Sequence, residues 1–201
     1  HRAVRVPVDG ARIGKQETFA IDFARLRDGE PYSGDGARHE DWYGYGTEVL
    51  AVADGTVVAV ADGYPEQTPL QAITGMTRPE DFGGNAVVLE IAPGVYADYA
   101  HLQLGSITVA VGEQVTAGQV LGLLGNTGNS SGPHLHFGLI DDPDPMLGNS
   151  LPMAFDRWTL QGTFDLDAYD AAGSADAPPA LTLKEVPQPQ EGTLQLYLDV
   201  A

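Results

Sequence analysis

Two histidines stand two residues apart in His134-Leu135-His136, at the head of an apolar run that ends at Ile140. In a strand, residues i and i+2 project from one face, so both imidazoles point into one space. Alone, such a pair on a polar strand face is more often simply solvated. A third imidazole lies in Tyr99-Ala100-His101-Leu102, where the plain reading is a core histidine satisfied by one hydrogen bond. A carboxylate, Asp22, interrupts the apolar run Phe19-Ala20-Ile21-Asp22-Phe23. Burying a bare carboxylate is prohibitive, so Asp22 must be exposed, paired with an Arg or a backbone N–H, or bound to a metal. Asp with imidazole nitrogens is a ligand set that suits zinc, and a free His beside it suits proton transfer.

The elements that must position these groups read as short strands. Runs at 4–8, 19–24, 48–53, 56–61, 86–91, 95–102, 107–111, 120–124 and 134–140 are rich in Val, Ile, Leu or aromatics and bounded by Gly, Asp, Asn or Pro. Asp54-Gly55 and Pro93-Gly94 each separate two runs by two residues, as hairpins do. Nothing shows helical periodicity over three turns, and only 78–82 and 165–172 suit brief helices. The expectation is an all-β, antiparallel core. Two stretches, 27–46 and 63–84, interrupt the pattern and are expected to wall a groove. A weak repeat, Gly46-Thr47-Glu48-Val49 against Val111-Gly112-Glu113-Gln114-Val115, suggests hairpins of the carrier-domain kind. Those need a lysine at the hairpin tip, and the only lysines are Lys15 and Lys184. The division expected is a β domain over 1–160 and a C-terminal extension over 161–201, with a linker at Pro187-Gln188-Pro189-Gln190 and a last amphipathic strand from Leu194 to Val200.

Composition removes whole classes of function. With 10 Lys and Arg against 28 Asp and Glu, the formal charge of the 201 residues is −18, so neither nucleic acid nor an anionic membrane surface is a partner. Hydrophobic residues are 43% and charged residues 19%, which suits a globular chain, and no run of about 18 apolar residues spans a bilayer. Cysteine is absent, which removes disulfides, thiolate metal sites and a cysteine nucleophile. No export signal is visible after His1.

Taken in order, Ala20-Ile21-Asp22-Phe23, the run from Gly46 to Val57, Gly84-Asn85-Ala86-Val87-Val88-Leu89, Tyr99-Ala100-His101-Leu102, Val111 to Gly122, and Gly125-Asn126-Thr127-Gly128 through Gly132-Pro133-His134-Leu135-His136-Phe137 resemble the LytM/lysostaphin-type zinc endopeptidases, which cut peptide cross-bridges of bacterial peptidoglycan. The resemblance covers about residues 19–140. It implies an open antiparallel β core with a groove, one zinc ion with Asp22 and His136 as ligands, His101 and His134 as the groups that orient or deprotonate water and stabilise the oxyanion, a peptidoglycan peptide as partner, and a place outside the cytoplasm, periplasmic or in the cell envelope.

One position departs from that pattern. The family's first ligand is a His four residues before the Asp, and here that residue is Thr18. Two replacements suggest themselves: His39 on the aromatic insertion, and Glu17, whose five-residue interval to Asp22 needs a bulge. Trp42, Tyr43 and Tyr45 either stack on a peptide or glycan or pack the insertion. Three functions follow: a peptidoglycan-directed zinc metalloendopeptidase, a catalytically inactive cell-wall binding or amidase-regulating module on the same scaffold, and a structural protein with incidental histidines.

Overall fold

The computed structural model describes residues 17–155 and, in addition, the two strands 158–163 and 184–192. The chain is nearly all antiparallel β. The strands are β1 (Ile21–Phe23), β2 (Glu48–Leu50), β3 (Gly55–Ala61), β4 (Asn85–Ala92), β5 (Val95–Leu102), β6 (Gln114–Val115), β7 (Val120–Leu123), β8 (Leu135–Ile140), β9 (Ser150–Leu151), β10 (Trp158–Thr163) and β11 (Lys184–Gly192). The main sheet runs β1-β8-β5-β4-β3-β6, with β9 on the edge of β8, and β2 pairs β7 separately. Pro93-Gly94 turns the chain between β4 and β5, which pair as the expected hairpin, whereas Asp54-Gly55 makes none: Gly55 opens β3, β2 pairs β7, and β3 pairs β4 and β6.

The core forms because one face of each strand is apolar. Val57, Val87, Leu89, Ala97, Tyr99, Phe137 and Leu139 alternate inward along β3, β4, β5 and β8 and meet Val49, Leu121 and Leu124 in and beside the separate β2–β7 pair. Tyr99, 1% exposed, satisfies its hydroxyl by accepting the Val52 N–H at 2.9 Å. The opposite face of β1, β8 and β5 carries Asp22, His136 and Ala100, paired in one row across three strands. That row is the floor of the site.

Three elements differ from their sequence reading. Residues 107–111 form no strand: Thr108 N–H reaches Leu121 O and Gly112 N–H reaches Val57 O, single bonds that do not make a ladder. The Pro187–Gln190 stretch lies inside β11, paired with β10 across an irregularity between Leu160 and Gly162. In a two-stranded pair both strands are edges, which tolerate prolines that cannot donate. The expected helix at 78–82 is a 3-10 turn, Pro79–Gly83, and a second such turn covers His39–Asp41. The expected elements at 4–8, 165–172 and 194–200 lie outside the described residues.

Candidate active site

His101 reaches the floor by an irregular route. Alternation along β5 puts it on the core face with Ala97 and Tyr99, but the β4–β5 ladder slips between Asn85 and Val87, and His101 takes φ +62°. A bulge of this kind bends the strand and re-aims a side chain, and a β5 histidine held at positive φ is the sort of local strain found at functional sites. The result is an imidazole 4.7 Å from the His134 ring and 5.9 Å from the His136 ring, centroid to centroid. Asp22, His101, His134 and His136 therefore meet, although three separate segments supply them.

The segment before β8 is fixed by polar bonds rather than by an apolar core. Asn126 and Thr127 are fully buried. Asn126 N–H donates to Glu66 Oε2, and its side-chain amide to Gln67 O at 2.8 Å. The Thr127 hydroxyl donates to Leu102 O at 2.9 Å and accepts the Asn85 N–H. Gly84, at φ +62°, packs so tightly on this segment that a Cβ there would lie 2.5 Å from Thr127 Oγ1. Trp42 closes the other end: a Cβ on Gly132 would strike its ring at 2.3 Å.

These bonds set the histidine tautomers. His101 Nδ1–H donates to Thr127 O at 2.8 Å, and His134 Nδ1–H donates to Gly132 O at 2.8 Å, so each ring leaves Nε2 as a bare acceptor. His134 Nε2 stands 3.7 Å from Asp22 Oδ1. His101 is 6% exposed, and burial, with the two neighbouring imidazoles, pushes it down to about 3, so it stays neutral. Burial raises the Asp22 carboxyl, but the His136 hydrogen bond and the surrounding imidazoles outweigh it and leave Asp22 below the usual carboxylate range. Burial also lowers His136, and there Asp22, Glu17 and Asp98 outweigh it and hold the ring above its ordinary value.

His136 lies between two acids. Its Nδ1 is 2.9 Å from Asp22 Oδ1, and its Nε2 is 3.7 Å from Glu17 Oε2. Glu17 is thus brought to the site, yet it faces the ring nitrogen that Asp22 does not. His39 is held elsewhere: its Nε2 bonds Gln67 O at 2.7 Å and its ring stacks on Tyr45 at 4.9 Å. The aromatic insertion packs itself. Trp42 is 8% exposed, donates Nε1–H to Gly36 O and packs on Tyr32, while the Arg27 guanidinium covers Tyr43 at 4.5 Å.

Comparison with known proteins gives the arrangement its family. The sequence model for "Peptidase family M23" matches residues 42–146, just over half the chain. The chain belongs to peptidase family M23. The match contains His101, His134 and His136 and begins beyond Asp22 and Thr18. The M23 chain is 37% identical over 110 residues to the "Peptidoglycan DD-endopeptidase ShyA" of Vibrio cholerae, covering 54% of this chain and 25% of that protein. It is 36% identical over 102 residues to the "Glycyl-glycine endopeptidase ALE-1" of Staphylococcus capitis, covering 47% and 27%. It spans about a quarter of the length of these relatives. Among solved structures, a mutant catalytic domain of the prophage-encoded M23 protein EnpA from Enterococcus faecalis is similar at 24% identity and a TM-score of 0.41, over 65% of this chain and 88% of that one.

The family implies zinc, and the donors can be tested for it. In a tetrahedral site with bonds of about 2.0–2.1 Å, an oxygen and a nitrogen ligand stand about 3.3 Å apart. Asp22 Oδ1 and His136 Nδ1, at 2.9 Å, need to open by only a few tenths of an ångström. The pair fits two vertices. Among the described residues no group of three His, Asp or Glu side chains is arranged to hold one ion, and Glu17 lies beside the other ring nitrogen.

Proposed function

We propose that this M23 chain is a peptidoglycan-directed peptidase domain acting on a cross-bridge peptide outside the cytoplasm, with one zinc ion held on Asp22 and His136. What supports the reading is the shared tautomer of His101 and His134: each commits Nδ1–H to a backbone carbonyl and presents a bare Nε2. A structural role has no need of two imidazoles 4.7 Å apart, each with its Nδ1–H spent on a backbone carbonyl and its Nε2 left toward the floor. Zinc, when bound, supplies a Lewis acid that polarises the scissile carbonyl and acidifies water.

The histidines divide the remaining work. The His134 side chain is 20% exposed and its Nε2 faces the floor; that nitrogen takes the proton of the attacking water and returns it to the leaving amine. His101, buried and held neutral, orients that water through Nε2. The insertions at 27–46 and 63–84 flank the floor and receive the extended peptide. The names of the relatives, a DD-endopeptidase and a glycyl-glycine endopeptidase, are the basis for choosing a peptide bond of peptidoglycan.

Thr18 favours a second reading. With two protein ligands instead of three, zinc is held weakly, and the domain then serves as a cell-wall binding or amidase-regulating module. Zinc-supplemented protein incubated with purified peptidoglycans of several cross-bridge types separates the two. The peptidase reading expects chelator-sensitive release of new amino groups, lost in Asp22→Ala and lowered roughly 10²- to 10⁴-fold in His134→Ala. No release from any cross-bridge, together with faster release by an added amidase, establishes the module instead.

A further inference from the structure

The loop before His134 carries a chain of hydrogen bonds whose direction is fixed at one end. Gln67 O, on the insertion at 63–84, is a carbonyl and can only accept. Two groups donate to it: His39 Nε2–H at 2.7 Å, from the insertion at 27–46, and the Asn126 side-chain amide at 2.8 Å. With Nδ2 spent there, Asn126 turns Oδ1 to Ser130 Oγ at 2.6 Å, so the hydroxyl must donate. Ser130 Oγ is left with lone pairs, and these face His134 Nδ1 at 3.2 Å, beside the Gly132 carbonyl at 2.8 Å. The polarity of every link out to the His134 ring thus follows from Gln67 O. Asn126 and Ser130 are both buried. The anchor is braced as well, because Gln67 N–H donates to Asn126 O and the Gln67 side-chain amide clasps the N–H and carbonyl of Thr74.

We propose that Ser130 and Asn126 are positioning residues for His134, a relay that holds the Nδ1 side of its ring and ties it to Gln67 O, where the two insertions meet. The Ser130 hydroxyl has a second acceptor within reach, Gly132 O at 3.0 Å, the same carbonyl that holds His134 Nδ1–H. Asn126 keeps the two donors from competing: by taking the Ser130 proton it leaves Gly132 O to the histidine. Orientation matters because a general base must reach its water at roughly 3 Å. A buried network with every member paired is rigid, and this one keeps Nε2 aimed without a charged partner behind the ring. The inference rests on the reading of His134 as the group that takes the proton of the attacking water.

The test is ring-nitrogen NMR of the metal-free protein at about pH 8, above the ordinary imidazole range, beside kcat and KM of the zinc-supplemented protein. Wild type is expected to carry the His134 proton on Nδ1 and to show a slowly exchanging Ser130 hydroxyl proton. Asn126→Leu keeps the main-chain bonds of residue 126 to Glu66 and Gln67 but sends the hydroxyl to Gly132 O. His134 should then mix its tautomers, and kcat should fall by up to roughly 10²-fold, the scale of a misplaced catalytic group, with KM little changed. Ser130→Ala removes the competitor together with the support, so it should keep the tautomer and lose less. Asn126→Asp still accepts from Ser130 and should keep the tautomer and most of kcat, although it melts below Asn126→Leu because its buried carboxylate faces Gln67 O. A merely structural role would order stability and kcat alike. If Asn126→Leu does not fold, the wild-type spectrum and the kcat of Ser130→Ala decide in the same way. A wild-type proton on Nε2, or unchanged His134 signals or kcat in Asn126→Leu, overturns this inference alone. A zinc-supplemented wild type that releases no amino groups from any peptidoglycan, or releases them as fast after His134→Ala, overturns the reading of His134 and the inference with it.

Discussion

Asp22 and His136 are direct partners across the β1–β8 ladder, and the same two residues put Oδ1 and Nδ1 2.9 Å apart. The ladder fixes the backbone separation of the two residues proposed as ligands. What the sheet does not bring is a third donor from position 18. Thr18 lies outside β1, in the turn and bend that precede Ile21, and its hydroxyl is buried without a partner among the described residues.

That geometry predicts the effect of Thr18→His. An imidazole at 18 restores the donor that the resembled family carries four residues before the Asp, so zinc affinity should rise by at least about tenfold, the scale on which single metal-site partners act, measured by chelator competition. An unchanged affinity would mean that the residues before β1 do not present position 18 to the site.

Two buried groups set the pH dependence of stability, and their signs oppose. His101 is lowered from 6.5 to about 3, so between these values the unfolded chain binds a proton that the native chain does not, and stability rises with pH. Asp98 is raised from 3.8 to about 6, so between these values the native chain holds the extra proton, and stability falls with pH. From about pH 4 to 6 the two slopes, each about 1.4 kcal/mol per pH unit, nearly cancel. Urea unfolding across that range should thus show a nearly flat contribution in wild type, a loss of stability toward acid in Asp98→Asn, and a gain toward acid in His101→Asn.

Spacing alone showed that the two β8 histidines share a face, because strand parity needs no partner strand, but not that they form a site, which took the other residues of the family resemblance. Asp22 was legible as a charge out of place in an apolar run. His101 was read only through the family resemblance: parity assigns it to the core with Tyr99, and the bulge at Asn85–Val87 and the positive φ that turn it to the floor have no local signature. Asp98 and Glu66 were missed for a related reason. Their roles depend on what lies across the sheet or across an insertion, as Glu66 does in bonding Asn126 N–H, and nothing in Tyr96-Ala97-Asp98 reports that Gly138 faces it. The aromatic cluster read equally well as a ligand platform or as packing, and burial of Trp42 decides for packing.

Gly84 should be far less replaceable than Gly94. Both have positive φ, but a Cβ at 94 meets nothing within 4 Å, whereas one at 84 meets the backbone of Gly128 at 2.6 Å. Gly94→Ala should cost about 1 kcal/mol, the left-handed penalty alone. Gly84→Ala should cost about 2–4 kcal/mol and, by displacing Thr127, whose carbonyl holds His101, should also lower cleavage. Chemical denaturation of both variants checks the difference.

Anomalous diffraction at the zinc edge from crystals grown with zinc reads directly whether Asp22 and His136 hold a zinc ion. A single strong peak is expected about 2.0–2.2 Å from Asp22 Oδ1 and His136 Nδ1, with Glu17 on the far side of the ring. A peak on His136 Nε2 beside Glu17, or none within reach of Asp22, would contradict it.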